Sequence, residues 1–210
     1  MRVLVFGASV TQGFYDTRGG WAIRLWEYYT KRLLDGGRDI TVFNLGISGD
    51  GSDRLVKRFE NETVARNFPG ENLTFVFSIG TNNSWTRNDG STVSTPEDYA
   101  GDIRKLIKMA RRHSPRLIFL GIAPCDEARA HPVPWNKNIF FTNERIKLFD
   151  QTLEKVCGNA GVKYLPIFDE LKNRLDAGEN IYEDGLHPND AGHQLIFELV
   201  RPALDDLLNT

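Results

Sequence analysis

Apolar residues in this chain follow two rhythms that alternate along its length. Short unbroken runs rich in Val, Ile and Phe give way to longer stretches in which apolar positions recur every three or four residues. Arg2 to Phe6 is a run of the first kind, closed by Gly7, as expected of a strand buried on both faces. From about Gly20 to Leu34 the spacing of Trp21, Leu25, Tyr28, Tyr29 and Leu33 is helical. The same reading places further strands at Ile40–Leu45, Leu73–Ile79, Leu117–Ile122 and Val162–Phe168. It places helices at Ser52 to about Phe68, Thr95 to about His113, about Phe141 to Asn159 and Asn189 to about Leu208. Pro96 sits in the first turn of its helix, where its missing N–H costs nothing. Strands alternating with helices imply right-handed βαβ units and a five-stranded parallel sheet covered on both faces, an α/β fold.

Composition changes this picture little. The 210 residues suit one domain, residues 1–210, with no repeat, linker or low-complexity tract. A net charge of −2 gives no electrostatic footprint for nucleic acid or an anionic membrane. No apolar run approaches the roughly 20 residues of a membrane span. Met1–Gly7 already reads as a strand rather than a leader, so the expected location is cytoplasmic. Cys125 and Cys157 are too few for a disulfide framework and lack metal-ligand spacing, and read as two buried thiols. No seam or interface stripe indicates an oligomeric state.

The chemistry concentrates where strands end. In a parallel sheet, ligands bind beyond the carboxyl ends of the strands. The loops Gly7–Gly13, Gly46–Gly49 and Gly80–Asn83 therefore open on one edge. Ser9 stands where the chain turns from strand to helix, with backbone N–H groups free at the helix entrance, although a serine there also serves as an ordinary cap. Gly49 permits close approach of a backbone N–H to a ligand, and Asn82 carries an amide able to donate to an oxyanion. Either is also a common turn residue. Near the other end of the chain, Asp184 and His187 lie three residues apart, so a tight turn can pair the carboxylate with Nδ1 and leave Nε2 outward as a base. Nucleophile, two donors, base and orienter are the parts acyl transfer needs.

These blocks, in this order, resemble those of the SGNH (GDSL-type) hydrolases, a family of serine esterases and lipases. Gly7-Ala8-Ser9 with Gly13 resembles the first block, Asn44-Leu45-Gly46-Ile47-Ser48-Gly49 the second, Gly80-Thr81-Asn82-Asn83 the third, and Asp184-Gly185-Leu186-His187-Pro188-Asn189 the last. The resemblance implies a flavodoxin-like three-layer α/β/α sandwich. It also implies Ser9 as nucleophile, His187 as base, Asp184 as its orienter, and an oxyanion hole made of Ser9 N–H, Gly49 N–H and the Asn82 amide. It implies no cofactor and no metal, and a small-molecule ester as substrate. Ala8 and Asn83 depart from the family pattern, which commonly has aspartate at both positions, and put in question the hydrogen bonding around the nucleophile loop.

Four other readings compete. A dinucleotide-binding oxidoreductase would need G-x-G-x-x-G, but Ser9 and Gln12 break that spacing. A metal site at Asp184, His187 and His193 lacks the i, i+4 histidine pair of a helical site, and His193 reads instead as a helix-face residue. A non-catalytic binding module of the same fold would not need Ser9, Asp184 and His187 all present. An acyltransferase would use the same residues as a hydrolase and is not separated from it by them. Two long loops, Ser84–Ser94 and Ala123–Asn138, flank the ligand edge. Trp85, Arg87 and Trp135 are the expected substrate contacts, with Tyr15, Arg18 and Trp21 beside them. Aromatic and arginine residues there suit acetylated carbohydrates or short-chain esters, and no long apolar lid suggests a lipid.

Overall fold

The computed structural model describes residues 1–209. In chain order the elements are β1 (Arg2–Gly7), α1 (Ser9–Gln12), α2 (Trp21–Leu34), β2 (Thr41–Gly46), α3 (Ser52–Val64), β3 (Leu73–Ser78) and α4 (Thr81–Ser84). They continue as α5 (Pro96–Ala110), β4 (Leu117–Leu120), α6 (Glu127–Ala130), α7 (Asn143–Ala160), β5 (Lys163–Leu165), α8 (Phe168–Asp176) and α9 (Asp190–Asn209). The strands form one parallel sheet in the order β2-β1-β3-β4-β5. The order reverses between β1 and β3, and the carboxyl ends of strands flanking such a switch point form a crevice.

Strand alternation builds the two apolar layers. Leu4, Phe6, Phe75, Phe77 and Phe119 point to one face and pack against α3, α5 and α7 through Leu55, Phe59, Ile103, Leu106, Phe149 and Leu153. Val3, Val5, Val42, Val76 and Ile118 point to the other, against Trp21 and Leu25 of α2 and Ile196, Val200 and Leu204 of α9. The first face is an aromatic stack: the Phe77 and Phe119 rings are 4.4 Å apart and Phe6 lies 5.7 Å from Phe77. The second is aliphatic. A one-residue register slip would exchange the two sets, so the pattern fixes the register.

The expected β5 of Val162–Phe168 splits in the structure. Pro166 has no N–H to continue the ladder, the strand stops at Leu165, and α8 begins at Phe168. Helix α8 and the four-residue helices α4 and α6 are not among the expected elements, and the helix entrance expected at Ser9 is the short α1. Both cysteines are buried and unpaired, and burial pushes both thiols up to about 12. Among the described residues no helix is long and apolar enough to cross a membrane.

Candidate active site

Strand β1 delivers Ser9 directly: two residues past the strand the chain enters α1, with Ser9 its first helical residue. The turn is tight because glycines let the backbones meet. Gly13 has φ +95°, and a Cβ on Gly20 would lie 2.4 Å from its Cα. Ala8, in the position before the helix, makes no cap and packs into the aromatic-face core instead. Among the described residues, no protein acceptor takes the N–H of Ser9 or of Gly49. Gly49 sits at φ +82°, a left-handed conformation that glycine adopts without strain.

The last block folds back over Ser9. Leu186 and His187 both donate their backbone N–H to Asp184 Oδ1, at 2.9 and 2.7 Å. Asp184 Oδ2 then faces His187 Nδ1 at 2.7 Å, and His187 Nε2 lies 2.9 Å from Ser9 Oγ. A carboxylate only accepts, so Nδ1 carries the imidazole proton and Nε2 is the acceptor for the serine hydroxyl. Burial alone would push the Asp184 carboxyl up. The hydrogen bonds from the His187 ring and from two backbone N–H groups outweigh it and hold the group below the ordinary carboxylate range. Asn189 caps α9, accepting the N–H groups of Ala191 and Gly192 at 3.1 Å each.

Asn82, in α4 beyond β3, donates through Nδ2 to the Asp50 carbonyl at 2.9 Å, which leaves its second amide hydrogen free. The neighbouring Asn83 points the other way. Its Oδ1 accepts Ser52 N–H at 3.0 Å and its Nδ2 donates to Ser52 Oγ at 2.9 Å, while that hydroxyl donates to Asp102 at 2.9 Å. An aspartate at 83 would place a second carboxylate around the same hydroxyl, so the amide matches its surroundings.

Ser9, Ser48, Gly49, Asn82 and His187 line one cavity of about 540 Å³ whose remaining walls are Phe14, Tyr15, Trp85, Trp135, Ile139, Phe141 and Leu186. Trp135, Phe14 and Tyr15 ring the imidazole, with centroids 5.2, 5.3 and 5.8 Å from it. The first long loop and the segment just past the second meet to form this wall: Thr86 and Phe140 exchange backbone hydrogen bonds at 3.0 Å each. Of the expected contacts, Trp85 and Trp135 line the cavity. Arg87 does not; its guanidinium stacks 5.2 Å from the Trp85 ring and bonds Ser91. Arg18 pairs with Glu27 on the surface, and Trp21, the first residue of α2, is fully buried against the sheet. Phe14 and Phe141 escaped the sequence reading, although Phe14 directly follows the glycine that closes the nucleophile loop.

The loop carrying Phe14 and Tyr15 is moored to α9. Thr17 donates twice to Asp190, and buried Arg24 joins Asp16 to Gln194. His193 sits between, fully buried, accepting Trp21 N–H at Nδ1 and donating from Nε2 to the Phe14 carbonyl at 3.1 Å. With both ring nitrogens engaged in this way, it is a neutral strut. Burial pushes its imidazole below the ordinary value, against the pull of the Phe14 carbonyl.

Acid should loosen this mooring. An unfolded histidine takes its proton near pH 6.5, whereas folded His193 resists to lower pH, so the unfolded state binds more protons and stability falls as pH drops. Asp184 acts with the same sign further down: its depressed folded value means its contribution is lost as pH falls through that value. The wild-type melting temperature is expected to fall between about pH 7 and about pH 5, and to fall less in His193→Gln. Equal falls in both proteins would remove His193 from this account.

Comparison with known proteins gives the family and the fold. The model of the GDSL-like Lipase/Acylhydrolase family matches residues 5–195. A GDSL lipase of Mycobacterium tuberculosis is 27% identical over 209 residues, covering 96% of this chain and 80% of that protein. Among solved structures, an α/β hydrolase from the metagenome of Lake Arreo, Spain, superposes with TM-score 0.75 at 19% identity, covering 98% of this chain and 95% of its own. An acetyl xylan esterase, AlAXEase, gives 0.74 at 19% identity, covering 97% and 99%. At these identities the structural likeness speaks to fold alone; the family match across nearly the whole chain goes further, and this chain is a member of the GDSL-like lipase/acylhydrolase family, an ester-bond hydrolase.

Proposed function

We propose that the protein is a serine esterase that cleaves a carboxylic ester through Ser9, His187 and Asp184 by way of an acyl-enzyme. The observation that carries this is the continuous relay from Asp184 Oδ2 to His187 to Ser9 Oγ, with bonds of 2.7 and 2.9 Å, opening into an aromatic-walled cavity. His187 takes the Ser9 proton as Oγ attacks the carbonyl carbon, and Asp184 stabilises the imidazolium. Ser9 N–H, Gly49 N–H and the Asn82 amide receive the negative charge on the carbonyl oxygen. The imidazolium returns its proton to the leaving alkoxide, and water then repeats the sequence on the acyl-enzyme.

The acyl group is short and the alcohol is a carbohydrate. Ser9 and Asn82 also border a second space bounded by Ala8, Ile79, Ile122 and Ile167, with room of about 20 Å³, enough for a group the size of one water or methyl. The larger cavity, with half-exposed Tyr15 and Trp135 at its mouth, offers flat aromatic surface to the apolar face of a sugar ring. Two similar structures bear names of the same kind, an acetyl xylan esterase and an acetyl-xylooligosaccharide esterase.

A series of p-nitrophenyl esters tests this. Relative to acetate, kcat/KM is expected to fall about tenfold or more by octanoate, because each further methylene has no matching space. Acetylated xylose or glucose should be deacetylated by the same protein. Octanoate cleaved as fast as acetate would overturn the acyl-size reading.

A further inference from the structure

We propose that the buried Arg58–Asp50 pair is the positioning device of the oxyanion hole, holding the Gly49 N–H and the Asn82 amide in one geometry. The inference rests on the serine-esterase reading and concerns two residues that reading does not use. Arg58 lies on α3, outside every block of the site, yet its guanidinium reaches three groups at the carboxyl edge of the sheet. Nε donates to Asp50 Oδ2 at 2.7 Å, and Nη2 donates to the carbonyls of Leu45 at 2.8 Å and Gly7 at 3.1 Å. These are the last turns of β2 and β1, the strands that deliver Gly49 and Ser9. Asp50 is buried and Arg58 largely so, at 6% and 15% side-chain exposure, so the charges are shielded from solvent and hold each other firmly.

Asp50 carries that restraint to the oxyanion groups. It directly follows Gly49, and its own N–H closes a turn onto Ile47 at 3.2 Å, so fixing its carboxylate fixes the peptide beside the Gly49 N–H. Its carbonyl accepts one hydrogen of the Asn82 amide at 2.9 Å. An amide nitrogen has two hydrogens in one plane; with the first committed to Asp50, the direction of the second is set. A donor aimed in advance stabilises the developing charge without reorganising during the reaction. Glycine at 49, with its left-handed φ of +82° and no side chain contacts, has no anchor of its own. The residue after it supplies one.

The test uses the full-length protein and p-nitrophenyl acetate, comparing Asp50→Ala and the paired Asp50→Ala/Arg58→Met replacement, which leaves no unpartnered buried charge. Melting temperature and circular dichroism report folding. The expected result is a kcat loss of roughly 10- to 100-fold, part of the loss on deleting an oxyanion donor, with KM and the shape of the pH profile unchanged because the base is untouched. Asp50→Asn, which keeps an oxygen for Arg58 Nε, should recover most of kcat. In an Asn82→Ala background the paired replacement should cost far less than in wild type, since one group it aims is gone. Unchanged kcat, or the same factor lost in both backgrounds, overturns the proposal. Should both Asp50→Ala proteins fail to fold, Arg58→Lys gives the same reading, because lysine keeps the charge but cannot span Asp50, Leu45 and Gly7 together. A Ser9→Ala control separates the two claims: with that protein inactive, normal turnover without the pair sinks only the positioning role, whereas an active Ser9→Ala sinks both.

Discussion

Ser9→Ala is expected to lose esterase activity by about 10⁴- to 10⁶-fold in kcat while folding and melting almost as the wild type does. The change removes the proposed nucleophilic oxygen. Among the described residues, Ser9 Oγ is the single hydroxyl hydrogen-bonded to His187 Nε2, at 2.9 Å, so no neighbour inherits the role. What remains is the binding cavity and the oxyanion donors, which alone give a small residual rate over water. The stability side follows from where the hydroxyl sits. Ser9 is only 7% exposed, but its one side-chain partner is an imidazole nitrogen at the floor of an open cavity, so the lost hydrogen bond costs about 1 kcal/mol or less. Turnover of p-nitrophenyl acetate, read beside a thermal melt, checks both halves. Undiminished turnover by a folded Ser9→Ala protein would sink the catalytic assignment.

How much of this was open to the sequence depends on the range of the interaction. The sheet was legible because β1, β3 and β4 are continuous apolar runs closed by glycine or small residues, and a strand buried on both faces leaves no other pattern. The four blocks were legible because each lies at a strand end or beside a helix entrance, positions where Ser, Gly, Asn and Asp have a local reason to occur. The β5–α8 boundary was missed although Phe168, Leu171 and Leu175 are spaced as a helix; the apolar Ile167-Phe168 pair lengthened the strand past the proline that ends it. Arg87 and Trp21 were misplaced for a related reason. Both stand in loops or at a helix start on the right edge, and only packing decides that one stacks on Trp85 and the other faces the sheet. His193 was read as a helix-face residue; that its ring spans from Trp21 to Phe14 is a contact across more than 170 residues, which no local pattern encodes. The same holds for the match of Asn83 to Ser52 and Asp102.

Asp184→Asn should reduce kcat by about 10⁴-fold although it changes one atom, and the reason lies in how the two carboxylate oxygens are used. Oδ1 accepts two backbone N–H groups, from Leu186 and His187, and Oδ2 accepts the imidazole Nδ1–H. An asparagine has one oxygen for three donors. The two backbone donors cannot turn away, being fixed by the turn that Gly185 makes at φ +91°, so the amide oxygen stays with them and the NH₂ faces Nδ1. Nδ1 must then become an acceptor, which moves the ring proton to Nε2. In that tautomer Nε2 donates towards Ser9 Oγ instead of accepting from it, and the geometry survives while the base is gone. KM for p-nitrophenyl acetate should change little, because none of the cavity walls moves. The alternative orientation, oxygen towards Nδ1, would leave two backbone donors facing an NH₂ group and should appear as a loss of stability with activity largely kept. Measuring kcat together with the melting temperature therefore reads out which way the amide points. A folded Asp184→Asn protein with wild-type kcat and wild-type melting would contradict both orientations, and with them the role of Asp184 in setting the tautomer.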